Sequence, residues 1–142
     1  PGYVPALSAL GGHYGRAGNL SQALVYLEKA RKRAPKEPGV LANLAIARAQ
    51  QRRFEEARGL FNDLLEIQPS NLEARMNLCR MNIELKDWKA AADEVRTLWK
   101  ARPMEKNVSA LVQAIRPHLN AEEEARLKAD LNAVLRARQG RR

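Results

Sequence analysis

The run Gly11-Gly12-His13-Tyr14-Gly15-Arg16-Ala17-Gly18 has the glycine density that lets backbone N–H groups close around a phosphate. Density alone is not enough. The spacing fits neither the dinucleotide fingerprint nor the Walker pattern, and no strand-like run precedes it. Gly11 suits close helix packing and Gly18 suits a turn. Gly12 and Gly15 are surplus, and each weakens a helix by about 1 kcal/mol relative to alanine. His13 and His118 stand 105 residues apart with no carboxylate or cysteine at ligand spacing, so no metal site is expected. Glu122-Glu123-Glu124 suits the first turn of a helix, where carboxylates meet the positive end of the dipole. Cys79 is the single cysteine, which excludes an internal disulfide and a cysteine-clustered metal site, and it reads as a packing thiol. No nucleophile, base and acid stand in a readable arrangement. The expectation is a protein without catalytic residues, cofactor or metal.

The remaining chemistry is charge. The net charge is +9, and residues 4–37 and 106–142 each hold an excess of four cations, while 38–71 is neutral and 72–105 has an excess of one. Lys29, Arg31, Lys32, Arg33 and Lys36 form one cluster, and Arg136, Arg138, Arg141 and Arg142 form another. Either would attract an anionic polymer, nucleic acid or anionic lipid. Both also fall at helix C-termini, where cations offset the dipole, and neither run contains the aromatics on which single-stranded nucleic acid stacks.

The elements that must position these residues repeat. Pro35, Pro69 and Pro103 follow one another at intervals of 34 residues. Twelve residues before each stands Ala23, Ala57 or Ala91; eight before, Leu27, Phe61 or Val95; fifteen before, Leu20, Phe54 or Trp88; twenty-five before, Leu10, Leu44 or Leu78. A period of this length decides architecture before any local motif does. Each cycle reads as two helices. Leu7, Leu10, Gly11 and Tyr14, then Leu41, Leu44, Ala45 and Arg48, follow helical spacing in the first half. In the second half Leu20, Ala23, Leu24, Leu27 and Ala30 do so, as do Phe54, Ala57, Leu60, Phe61 and Leu64. Asn19 with Gln22 and Ser70 with Glu73 are expected capping boxes, and the proline closes the second helix.

Period and columns together resemble the tetratricopeptide repeat. Residues 4–37 fit best, through Leu10-Gly11, Tyr14, Gly18, Leu20, Ala23, Leu27, Ala30 and Pro35. Residues 38–71 keep Leu44-Ala45, Phe54, Ala57, Phe61 and Pro69 but put Arg48 where an aromatic is usual; residues 72–105 keep Leu78, Trp88, Ala91 and Pro103, with Cys79 and Asn82 at the small and aromatic places. The resemblance implies an all-α fold, a right-handed superhelical α-solenoid of helix-turn-helix repeats. Residues 106–142 depart from the pattern. Val108, Leu111, Val112 and Ile115 read as the first helix of a degenerate fourth repeat, ended by Arg116-Pro117. Asn120 and Glu123 then cap a helix over 121–139, with Leu127, Leu131, Val134 and Leu135 on its apolar stripe and a basic tail beyond. Such a helix reads as a C-terminal cap. The first repeat starts within three residues of Pro1, so the chain is expected to be a fragment of a longer array.

Composition agrees with a soluble helical domain: 45% apolar, 5% aromatic, and no apolar run long enough to span a bilayer. The compartment stays open between cytoplasm and periplasm. Arginine outnumbers lysine 17 to 8 and alanine is abundant, which leans toward a GC-rich bacterium and a cell-envelope assembly of secretion, pilus or exopolysaccharide-export type.

The resemblance implies that first helices line a concave groove holding a protein or peptide partner. The residues expected there are Ser8, Gly12 and Arg16; Ala42, Asn43, Ile46 and Gln50; Glu73, Met76, Asn77, Arg80 and Glu84; then Asn107 and Ala110. Asn43 and Asn77 suit a peptide backbone, Ile46 and Met76 an apolar side chain, Arg80 an acid. The clamp by which one subgroup grips acidic chaperone tails is not expected, because of its five positions only Asn43 matches and Glu73 would repel the tail. The second reading is that the groove and basic ends bind a polysaccharide, nucleic acid or other anionic polymer.

Overall fold

In all three cycles the second helix ends two residues before the proline, because the ring forbids helical backbone to the residue preceding it. Ala34, Gln68 and Arg102 accordingly leave the helical region, at φ −137, −126 and −139°. The computed structural model describes residues 3–141; Pro1 and Arg142, which entered the reading of the two ends, lie outside them. The described helices are α1 (Val4–Arg16), α2 (Leu20–Arg33), α3 (Pro38–Gln50), α4 (Phe54–Ile67), α5 (Leu72–Glu84), α6 (Trp88–Ala101), α7 (Lys106–Ile115) and α8 (Ala121–Gln139), with a 3₁₀ turn at Arg116–His118. The fold is all-α, and no strand occurs among the described residues.

The turn inside each pair is built alike. Gly18, Arg52 and Lys86 hold left-handed backbone at φ 80, 61 and 58°. Their N–H groups bond to the carbonyls of Gly15, Ala49 and Ile83 at 3.0, 2.9 and 3.0 Å, and those of Asn19, Arg53 and Asp87 to Tyr14, Arg48 and Asn82. This closure satisfies the carbonyls a helix end leaves open. Asn19 and Asp87 then cap the next helix through the N–H groups of Gln22 and Ala90, whereas Arg53 makes no side-chain cap. At α5 the cap is Asn71, which accepts from the Ala74 N–H at 2.9 Å. Ser70 stands one residue too early for that role. The box at Asn120 and Glu123 has both of its halves.

Packing divides the chain into two compact units, one up to Ala74 and one from Arg75. In the first, α1 packs on α2 and α3 on α4, with α2 also against α3. Ala23, Ala30, Leu44, Ala45 and Ala57 are wholly buried. Gly11 permits this approach, since a Cβ there would lie 2.4 Å from Leu27 Cγ. Leu10 departs from its column. It is 42% exposed, because no earlier helix pair among the described residues covers it as α2 covers α3. Arg48 is half-buried without an aromatic ring: its Nη2 reaches Glu28 Oε1 on α2 at 2.7 Å and its Nε reaches Glu56 Oε2 on α4 at 3.4 Å.

In the second unit, α6 packs against α7 and α8. Arg96 Nε meets Asp130 at 3.3 Å and Trp99 Nε1 donates to the Leu131 carbonyl at 3.3 Å, so α8 runs alongside α6 in the same direction. Leu127 is buried beneath α8, while Lys128, Asn132 and Arg136 on its outer side are exposed. His118 stacks on Trp88 with ring centroids 3.9 Å apart, tying the 3₁₀ turn to the start of α6.

Candidate functional site

Helices that bury one stripe leave the other to solvent, and the odd-numbered helices expose residues of mixed chemistry. In the first unit Arg16 on α1 and Ile46 and Gln50 on α3 are exposed, Ile46 at 42%. Ser8 is not available to a partner. It is buried, and Asn43 Nδ2 donates to its carbonyl at 3.3 Å and approaches its hydroxyl at 3.2 Å. The Asn43 side-chain N–H group is thus engaged in joining α3 to α1, which leaves its side-chain oxygen as the remaining acceptor. This bridge accounts for Gly12: a Cβ there would stand 3.2 Å from Asn43 Nδ2 and 3.3 Å from Arg16 Nη1. No pattern in the sequence marked that pairing, whose partners are 35 residues apart.

In the second unit, Arg80 and Glu84 on α5 and Asn107 and Ala110 on α7 are exposed. Arg80 Nη1 donates to Asn77 Oδ1 at 2.9 Å, so the pair offers one joined polar surface. Met76, expected to offer apolar contact, is buried at 9% exposure and serves the interior instead. On the inner side of the same helix, Cys79 Sγ lies 3.6 Å from the Ala91 carbonyl. Burial first, and the nearby Glu94 second, push its thiol up to about 12 against the opposing pull of Arg80. It holds its proton, and with it the packing role.

Among the described residues no group of three or more His, Cys, Asp or Glu side chains stands close enough to hold a metal ion. No described helix is long and apolar enough to cross a membrane. His13 lies edge-on to Tyr14, Tyr14 stacks on Tyr26 at 5.5 Å, and Lys29 Nζ sits 6.0 Å from the Tyr26 ring. The first basic cluster therefore begins beside aromatic rings one turn upstream.

Comparison with known proteins agrees with this construction. The tetratricopeptide repeat family model matches residues 16–70 and 49–115. No curated protein sequence matches the chain. Among solved structures, the TPR domain of Arabidopsis OM64 superposes with a TM-score of 0.75 at 18% identity, over 82% of this chain and 96% of that one. A mutant of MamA gives 0.76 at 22%, over 93% and 77%. A tetratricopeptide repeat protein of Parabacteroides merdae gives 0.76 at 21% identity, over 93% of this chain and 52% of that one.

Proposed function

Since the chain belongs to the tetratricopeptide repeat family, we infer that it acts as a protein-interaction scaffold holding a partner segment against the exposed faces of its odd-numbered helices. The observation carrying this reading is the chemistry left free once internal bonds are counted. Ile46 stands exposed and apolar on α3, one helical turn from Asn43 and from Gln50, and Arg16 is exposed on α1. In the other unit the Arg80–Asn77 pair stands one helical turn from Glu84. Apolar anchors flanked by directional polar groups suit an extended or helical peptide. No chemistry is assigned to these faces. Ser8 and Met76 leave the set because they are buried.

The chaperone-tail clamp does not enter this reading, since Gly12 and Glu73 stand where it needs an amide and a cation. We further infer, from the arginine- and alanine-rich composition, a bacterial parent and a place in a larger envelope assembly of secretion, pilus or exopolysaccharide-export type. Anionic-polymer binding by the basic clusters is the second reading, favoured by the end-loaded charge. Salt separates the two, because polymer binding weakens steeply between low and moderate salt while an apolar anchor does not.

The test is affinity capture from the source cells with Ile46→Glu and Arg80→Glu variants beside the wild-type chain. Asn43→Ala is unsuited, because it also breaks the bridge to Ser8. Loss of the same captured protein in either variant, with unchanged circular dichroism, is expected. Capture that survives both charge reversals sinks the reading.

A further inference from the structure

Two clefts flank Arg138 near the end of α8, and it forms a wall of each. One, of about 320 Å³, is completed by Met104, Leu135 and Gln139. The other, of about 350 Å³, has Pro103, Val134 and Ala137 in its lining and Lys100 and Arg141 beside them. From this geometry we propose a docking site for a peptide segment that carries a carboxylate side chain between two apolar ones. The carboxylate meets Arg138, and one apolar side chain enters each cleft.

Charge argues for the acid. Among the described residues no ion pair reaches Lys100, Arg138 or Arg141, whereas Arg102 nearby is already on Glu105. Dipole compensation explains a cation in the last helical turn, and Arg136 also supplies one there. It does not explain cations set around an apolar floor. The chain contains its own comparison. The cleft 68 residues earlier in the repeat frame is lined by Pro35, Lys36, Glu66 and Ile67, at the positions matching Pro103, Met104, Val134 and Leu135, together with Arg31 and Asp63. There the carboxylates Asp63 and Glu66 face the same hollow as the cations. At the later cleft the places of Asp63 and Glu66 are taken by Leu131 and Val134 and those of Arg31 and Lys36 by Trp99 and Met104, and its cations, Lys100, Arg138 and Arg141, stand at other positions with no carboxylate among the described lining residues. Charge complementarity selects an acidic occupant.

Shape argues for a peptide. Among the described residues no aromatic ring lines either cleft, which removes the stacking platform that single-stranded nucleic acid uses. Both hollows are concave and of side-chain size, whereas an interfacial helix presents a continuous apolar stripe to lipid.

The probe is a fluorescein-labelled peptide, Gly-Ser-Leu-Ser-Asp-Ser-Leu-Ser-Gly, titrated by anisotropy with the whole chain at low salt. Saturable binding on the order of 10–100 μM is expected for so small a contact. Arg138→Gln, on an exposed helix face, should weaken it about tenfold, and the Asp→Asn peptide should lose as much. Replacing both leucines by serine should also weaken it, and Ile46→Glu should leave it unchanged, which separates this site from the odd-helix faces. No saturation at about 1 mM would overturn the proposal. So would equal binding of the Asn peptide, or full affinity in Arg138→Gln. Tighter Arg138-dependent binding of oligothymidylate or of phosphatidylglycerol vesicles would assign the site to nucleic acid or lipid, and the proposal would fall.

Discussion

Gly12 and Gly15 sit on the same helix and do different work. A methyl group at Gly12 meets the Asn43 amide, but one at Gly15 meets only Ala23 Cβ, at an ordinary 3.9 Å. Gly15→Ala should therefore stabilise the protein by about 0.5–1 kcal/mol through helix propensity and a stiffer unfolded chain. Gly12→Ala should destabilise it by about 1 kcal/mol, the worth of a displaced hydrogen bond. Urea unfolding followed by circular dichroism checks both, and the same sign for the two variants refutes the distinction. Cys79 carries a pH prediction. Its thiol titrates near 9.0 when unfolded and at about 12 when folded, so the unfolded chain releases the proton first as pH rises. Stability contributed by the neutral thiol is complete below pH 9 and declines between 9 and 12. Cys79→Ala should flatten that alkaline decline, measured as urea midpoints at about pH 8 and about pH 10.5 across the window that linkage sets.

At the scale of the element, the repeated turn shows where the design is uneven. Gly18 takes left-handed backbone without strain, while Arg52 and Lys86 hold it with a β-carbon. Lys86→Gly should raise stability by about 1 kcal/mol, the usual cost of that conformation for an L-residue. Among the described residues no ring or ion contact complicates this site as the Phe54 ring does at Arg52. The capping box of α8 makes the opposite test. Asn120→Ala removes the acceptor that holds the Glu123 N–H at 2.8 Å and should cost about 1 kcal/mol. A thermal midpoint raised by the first variant and lowered by the second is the expected pair of results.

The whole molecule has two compact units, and its fluorophores sort between them. Trp88 and Trp99 lie in the second unit, and Tyr3, Tyr14 and Tyr26 in the first. Leu127 is buried where α8 meets the rest of its unit. Leu127→Ala should cost about 2–5 kcal/mol, and its effect should appear in tryptophan emission. An emission midpoint that fails to move would mean that α8 adds little to its unit. The cleft proposed at Arg138 also belongs to this scale, because it is assembled from residues of α8 and the turn after α6 that meet only after the helices of their unit pack.

The pairing of helices and their phase were legible before any coordinates, whereas the start of α5 was misplaced by one residue, at Ser70 instead of Asn71. Apolar spacing at 3.6 residues is a local property, and three cycles in register made it redundant. The turn at Gly18, the close approach at Gly11 and the box at Asn120 were readable for the same reason: each depends on neighbours within a few residues. Exposure was not. Leu10 and Leu44 share a column, yet one is 42% exposed and the other is wholly buried, because burial depends on which pair stacks above. Ser8 and Met76 read as surface and are buried, Arg48 stood where an aromatic is usual and has two carboxylates, and Gly12 had no meaning until Asn43 lay against it. The sequence by itself determined a repeated pair of helices. Which side chains remain for a partner was decided only by packing, since contacts between residues about one repeat apart leave no periodic trace in either segment.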